Sequence, residues 1–308
     1  MTLVGCFAVP HPPIIVPEVG GHNLAEAEAT VKGMTALRER AARLAPDTIV
    51  LLSPHSPLAR SQMGVSLARE YRGSLAYFRA PQVRVDLDGD QALAQAIMDG
   101  AAGHGIPAVA TTGPMEVYEL DHGAMVPLVY LTGALTAPPR LVLLSFSYLD
   151  LDEHVRFGRS IAETIMAAHQ RVLYVASSDL SHRLIPGAPA GYDPRAAQFD
   201  RAVADAFAAG DWEGLLTIDS ALVASAGECG YRSLAVLSGV VAAYEAAGGT
   251  TRDRLLSYEG PWGVGYMVGE VELTPAGADA AAVSGGAEEV SGGAARQPAP
   301  VSQEGARP

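Results

Sequence analysis

Lysine is almost absent from this chain: Lys32 is the only one among 308 residues. Acidic residues outnumber basic ones, and the formal net charge is −13. Nucleic acid and anionic membrane surfaces ask for basic patches, so neither is expected as the main partner. A small anionic substrate is compatible with this balance, because one or two placed arginines suffice for it. Cysteine is also scarce. Cys6 and Cys229 build no disulfide framework, and the chain reads as cytoplasmic. Charge, Gly or Pro interrupts every apolar run before the length a membrane span needs, so no transmembrane helix is expected. The opening MTLVGCFAVPHPP lacks a basic leader and a small-residue cleavage site, so no signal peptide is expected.

Several catalytic signatures are missing too. The chain has no G-x-S-x-G elbow and no G-x-x-x-x-G-K-[ST] phosphate loop. It has no H-E-x-x-H helix and no pair of C-x-x-C knuckles. Gly263, Gly265 and Gly269 are spaced one residue too long for a dinucleotide fingerprint, and they do not open a helix after a strand.

What is present is a large apolar fraction, 49%, enough for a sizeable core. It ends abruptly. Pro275 to Pro308 contains no aromatic residue, no Leu and no Ile, and is expected to be a disordered tail (275–308) after one domain (1–274). Within the domain, β-type runs alternate with helical patterns. Strands are expected at Leu3–Val9, Thr48–Ser53, Pro107–Thr111, Arg140–Phe146, Val172–Ser177, Arg254–Tyr258 and Gly265–Leu273. Helices are expected at Asn23–Leu44, Gln91–Ala102, Glu153–Ala168, Pro194–Ala209 and Tyr231–Ala247. Continuous apolar strands between helices predict an α/β domain, with a mostly buried mixed or parallel sheet flanked by helices.

The histidines are placed informatively. His11 follows the first strand in AVPHPP, His55 the second in LLSPHSP, and His182 a later one in VASSDLSH. In open α/β sheets the ligand crevice lies beyond the carboxyl ends of the strands. Prolines 10, 12 and 13 surround His11, and Pro54 and Pro57 flank His55, which stiffens the backbone there. Either histidine alone could be an ordinary loop residue, but two matching strand–Pro–His sites point to a metal. A third ligand is then needed. Glu18, Glu116, Glu119, Asp121, Asp179, Glu228 and Glu259 all lie near loops or element ends, and spacing does not choose among them. Glu228, in SAGECGYRSL, suits a metal ligand or an acidic first-turn helix cap equally well. Its neighbour Cys229 offers a thiolate and ranks below it. His122, in ELDHGAMVPL, suits an acid, base or substrate hydrogen-bond donor as well as a solvated cap. His22, His104, His154 and His169 are assigned to surface or structural roles.

The motifs VPHPPIIVPEVG, LLSPHSP, LDHGAMVPLVYL, ASSDLSHRL, AGECGYRSL and LLSYEGPWGVGY occur in this order. Together they resemble the class III extradiol ring-cleavage dioxygenase superfamily, subunit-B type, and within it the branch linked to AMMECR-domain proteins. The resemblance spans Leu3 to Leu273. It implies His11, His55 and Glu228 as ligands of one Fe(II), with Zn(II) or Mn(II) as alternatives. It implies His182 as acid/base and His122 as a substrate-contacting or supporting histidine. The expected activity is extradiol cleavage of a catechol-type or aminophenol-type aromatic with O2, in a dimer and with a possible AMMECR-type partner. The alternatives are a metal-binding interaction protein without ring cleavage, and a Zn(II) hydrolase.

Overall fold

The structure is a computed structural model, and residues 2–277 are described. The expected disordered tail lies almost wholly outside them, and the folded unit runs to Pro275. In chain order, β1 (Leu3–Val9) leads through α1 (Pro17–Gly20) to α2 (Glu28–Leu44) and β2 (Thr48–Leu52). Next come β3 (Met63–Ser66), β4 (Glu70–Leu75), β5 (Ala80–Asp88), α3 (Gln91–Gly103), β6 (Ala108–Thr112), β7 (Val117–Glu119) and α4 (His122–Thr132). They are followed by β8 (Arg140–Ser145), α5 (Leu151–Ala167) and β9 (Val172–Ser177). The last elements are α6 (Ala196–Ala209), α7 (Trp212–Leu216), α8 (Ser220–Ala226), α9 (Tyr231–Ala246), β10 (Thr250–Glu259) and β11 (Tyr266–Thr274). No helix among the described residues is long and apolar enough to cross a membrane.

Eight strands form one mixed sheet in the order β10-β11-β1-β9-β2-β8-β3-β6. Its centre, β1-β9-β2-β8, is parallel throughout, so four strands end at the same edge. Those strands read as near-continuous apolar runs because both faces are covered. Cys6, Ala8, Val50 and Leu52 pack on one face with Phe157 of α5, Phe199 of α6 and Leu234 of α9. Phe7, Val9, Ile49 and Leu51 pack on the other with Met34 of α2, Val126 of α4 and Tyr71 of β4. The single-domain α/β reading therefore holds.

The differences are local. A second, three-stranded sheet, β5-β4-β7, sits outside the expected set. β7 is only three residues long, and β5 alternates buried and exposed positions without a long apolar run. The helix expected from Asn23 begins at Glu28, after a 3-10 stretch at Gly21–Ala27.

α5 and α9 meet backbone to backbone at two glycines. A Cβ on Gly158 would lie 1.9 Å from the Val236 carbonyl oxygen, and one on Gly239 would lie 2.0 Å from that of Val155. Neither oxygen can move without moving its helix. Gly239→Ala is therefore expected to cost about 1–3 kcal/mol by forcing the helices apart. Denaturant unfolding checks this, and an unchanged midpoint would refute the close-contact account.

Candidate metal centre

The carboxyl ends of the parallel strands carry the polar residues. His11 follows β1 by two residues, His55 follows β2 by three, and Ser177 ends β9 with Asp179 and His182 just beyond. His122 opens α4, whose N-terminus points at the same edge. His11, His55 and His122 each offer one ring nitrogen, and these three atoms lie within 4.8 Å of one another. The His11 and His55 Nε2 atoms are 3.1 Å apart. The His55 and His122 rings lie 4.2 Å apart, tilted by 32°. His11 is buried, His122 and His182 are half-buried, and His55 is exposed, so the cluster opens to solvent on one side.

Hydrogen bonding sets the tautomers. The Ser177 hydroxyl donates to the Gly123 carbonyl at 2.6 Å, which uses its one proton. Its 2.8 Å contact with His11 Nδ1 is therefore a bond that the imidazole donates. His11 Nε2 is left with a bare lone pair aimed into the cluster. His55 Nε2 at 3.1 Å, Asp179 Oδ2 at 3.5 Å and Cys229 Sγ at 3.6 Å surround that lone pair. Donor atoms so gathered repel one another unless a proton or a cation lies among them. Two nitrogens each about 2.0–2.1 Å from one ion stand about 3.0–3.4 Å apart. The His11–His55 separation fits that range, so the donor set fits a bound metal ion.

Other contacts hold the rings in place. Asp121 caps α4 by accepting the Ala124 amide at 3.0 Å. The same carboxylate accepts the Ser53 hydroxyl at 2.7 Å and the Ser56 hydroxyl at 2.8 Å, which ties the His55 loop to the start of α4. A Cβ on Gly123 would lie 3.0 Å from His55 Cδ2 and 2.5 Å from Ser53 Oγ, so only glycine leaves room for that ring. Asp179 Oδ1 accepts the His11 backbone amide at 2.8 Å. His182 donates from Nδ1 to the Leu180 carbonyl at 3.0 Å, because a carbonyl can only accept. Its Nε2 is therefore free to take a proton. Its loop is anchored by the His182 amide on the Ala226 carbonyl and the Leu180 amide on the Gly265 carbonyl.

Desolvation, complete at His11 and partial at the other rings, favours the neutral imidazoles, the form that binds metals. His11 lies well below its usual value, first through desolvation and then through the neighbouring histidines. Desolvation, and next His122, lowers His55 to about 4. Desolvation also lowers His122 and His182. It raises Asp179 to about 7 and Cys229 well above the usual thiol value. A cation placed among these groups would reverse the last two shifts by favouring their anionic forms.

The structure brings together His11, His55 and His122. It does not place Glu228 with them. Glu228 Oε2 accepts the Tyr231 amide at 2.6 Å, so its carboxylate caps α9. The next side chain, Cys229, is the one that turns to His11. Ser177 lies within the ASSDLSHRL motif, but nothing in that motif singles it out, and its role depends on the register of β9 beside β1. The ring of His154 is buried between the Asp150 and Ser147 carbonyls and has a structural role. Ser177→Ala removes the acceptor that orients His11 and is expected to weaken metal affinity about 10–100-fold. Equilibrium dialysis against a metal chelator checks this, and unchanged affinity would remove Ser177 from the site.

An α/β sheet with imidazoles gathered at its carboxyl edge defines a class of proteins with a candidate metal-binding crevice, and comparison with known proteins narrows that class. Residues 5–269 match the family described as the catalytic LigB subunit of aromatic ring-opening dioxygenase, and the chain belongs to that family. Protein CA_C1420 of Clostridium acetobutylicum is 36% identical over 277 residues, covering 88% of this chain. The chain spans 58% of that relative's length. The crystal structure of uncharacterized protein JW3007 from Escherichia coli K12 is similar with a TM-score of 0.57 at 17% identity. The match covers 87% of this chain and 99% of that one, and it speaks to the fold alone.

Proposed function

We propose that this protein is a non-haem Fe(II) dioxygenase that opens a catechol-type or aminophenol-type ring beside its hydroxyls, with O2 as co-substrate. The observation that carries the reading is the convergence of His11, His55 and His122, whose ring nitrogens lie within 4.8 Å of one another. Membership of the ring-opening family supports the reaction class. Fe(II) would be held by the three imidazoles, with Asp179 and Cys229 beside His11 balancing its charge. For Glu228 to serve as a ligand, its carboxylate would have to leave the α9 amide. Bound there, Fe(II) would supply open coordination positions for the two adjacent substrate oxygens and O2.

The chain's own residues do the rest. His182 Nε2 takes the phenolic proton as substrate binds and returns it to the opened product. The lowered basicity of His182 keeps it unprotonated and ready at neutral pH. Phe78, at the tip between β4 and β5, lies 6.0 Å from the His122 ring and gives the cluster an aromatic neighbour.

Protein loaded anaerobically with Fe(II) is expected to consume O2 with a catechol and release a yellow ring-opened product. A panel of protocatechuate, homoprotocatechuate, gallate, DOPA and aminophenols that draws no O2 would sink the ring-cleavage reading. The donor set favours a second reading. Three neutral imidazoles also suit Zn(II), which activates water for hydrolysis. Ester hydrolysis by Zn(II)-loaded protein, together with no O2 uptake by the Fe(II) form, would select it.

A further inference from the structure

Asp200 lies on the core face of α6, beside Phe199 and Val203, where a helix ordinarily presents apolar side chains. It is fully buried and does not belong to the histidine cluster. Its two carboxylate oxygens have separate partners. Oδ2 accepts the Tyr258 hydroxyl of β10 at 2.8 Å, and Oδ1 accepts the Ser181 backbone amide at 2.8 Å. Gly265 leaves the room this needs, since a Cβ there would lie 1.9 Å from Asp200 Oδ2. Desolvation raises the Asp200 carboxyl to about 6, which leaves it ionised at neutral pH. A charge kept at that depth is costly unless its hydrogen bonds hold something in place.

The amide that Asp200 holds belongs to the same peptide unit as the Leu180 carbonyl. A peptide unit is planar and trans, so its N–H and C=O point in opposite directions and turn together. On one side the carboxylate takes the Ser181 N–H. On the other the Leu180 carbonyl takes the His182 Nδ1–H at 3.0 Å. The backbone bonds of this loop grip the neighbouring peptide units instead. The Leu180 amide on the Gly265 carbonyl holds the unit before, and the Ser181 carbonyl and His182 amide, paired with Gly265 and Ala226, hold the unit after. The unit between them is oriented by Asp200. Hydrogen bonding to an anion also polarises that unit, which makes its carbonyl a stronger acceptor.

We propose that Asp200 is a positioning residue for His182. Through the Leu180–Ser181 peptide it holds the imidazole in the tautomer with the proton on Nδ1 and the lone pair bare on Nε2. Asp200 takes no proton itself. Its effect on turnover rests on the reading of His182 as the proton acceptor, whereas its effect on the tautomer rests on the hydrogen bonds alone.

Nitrogen-15 NMR of the full chain shows which ring nitrogen of His182 carries the proton, with His182→Ala identifying the signals. The metal-free protein is used, so that no ion selects the tautomer. The wild-type proton is expected on Nδ1. Asp200→Ala and Asp200→Ser, neither of which reaches the Ser181 amide, are expected to move it predominantly to Nε2, the tautomer that a free histidine side chain favours. Asp200→Asn keeps an oxygen for that amide and is expected to leave the proton on Nδ1. Circular dichroism checks folding. A wild-type proton on Nε2, a folded truncation that keeps the proton on Nδ1, or its departure from Nδ1 in Asp200→Asn would overturn the proposal. The wild-type and Asp200→Asn measurements decide it even where neither truncation folds. In O2 uptake with a catechol on iron-matched samples, a folded truncation is expected to lower kcat by about tenfold or more, with metal content unchanged. The same truncation should have no further effect in a His182→Ala background. An equal fall in that background would mark a general loosening and overturn the positioning role. Absence of turnover in wild type would sink ring cleavage, and the tautomer measurement would still decide the role of Asp200.

Discussion

His55→Ala is expected to leave a folded protein that no longer retains added Fe(II). His55 sits on the exposed side of the cluster, so truncating its ring opens no cavity in the core. Its Nε2 stands 3.1 Å from that of His11, the closest pair of nitrogens in the cluster that any contact shows. Loss of an outer group that only orients a ligand costs about 10–100-fold in metal affinity. Loss of a ligand itself should exceed that range. Metal content after dialysis reads the effect, and the unfolding midpoint of the metal-free form tests the fold. His122→Ala is expected to lower metal content as well. Glu228→Gln is expected to retain it, because the Glu228 carboxylate is held by the Tyr231 amide and not by the cluster. Full retention of metal by His55→Ala would refute the site. Metal loss in Glu228→Gln would return the carboxylate to the ligand set.

His182→Ala is expected to separate binding from turnover. The His182 Nδ1–H bond to the Leu180 carbonyl points the opposite nitrogen away from the backbone with its lone pair free. A positioned general base contributes about 10²–10⁴-fold in rate, so kcat should fall by that factor while metal content stays at the wild-type level. The loop around it is held by backbone bonds to Ala226 and Gly265, so removing the ring should not collapse the loop. The measurement is steady-state O2 uptake on samples matched for iron. An unchanged kcat would exclude His182 from proton transfer. Metal loss equal to that of His55→Ala would instead make His182 part of the ion's immediate surroundings.

The order of apolar strands and helices was legible along the chain, because buried parallel strands such as Thr48–Leu52 and Val172–Ser177 need no alternation and read as continuous runs. β5 was not legible. It covers the core with one face only, and its alternating pattern carries no long apolar run. His11 and His55 were legible as strand-end histidines between prolines. Glu228 stands in the loop whose next side chain, Cys229, faces His11, but an acidic residue there serves a helix cap as readily as a metal. The chain's path through Gly227–Gly230 turned the carboxylate to the α9 amides and the Cys229 thiol to His11.

The residue sequence by itself determined the α/β class, the strands whose carboxyl ends carry chemistry, and the histidines placed there. These follow from local pattern: apolar runs, proline stops and the residue types that bind metals. Only the tertiary structure decided which of those histidines meet. His122 is 111 residues from His11, and it joins the cluster because α4 packs on the same sheet face as β1 and points its first turn at the strand edge. Tertiary structure also decided which nitrogen of each ring is bare. That depends on a proton count at Ser177 and on a carbonyl at Leu180, and neither leaves any trace in a linear pattern.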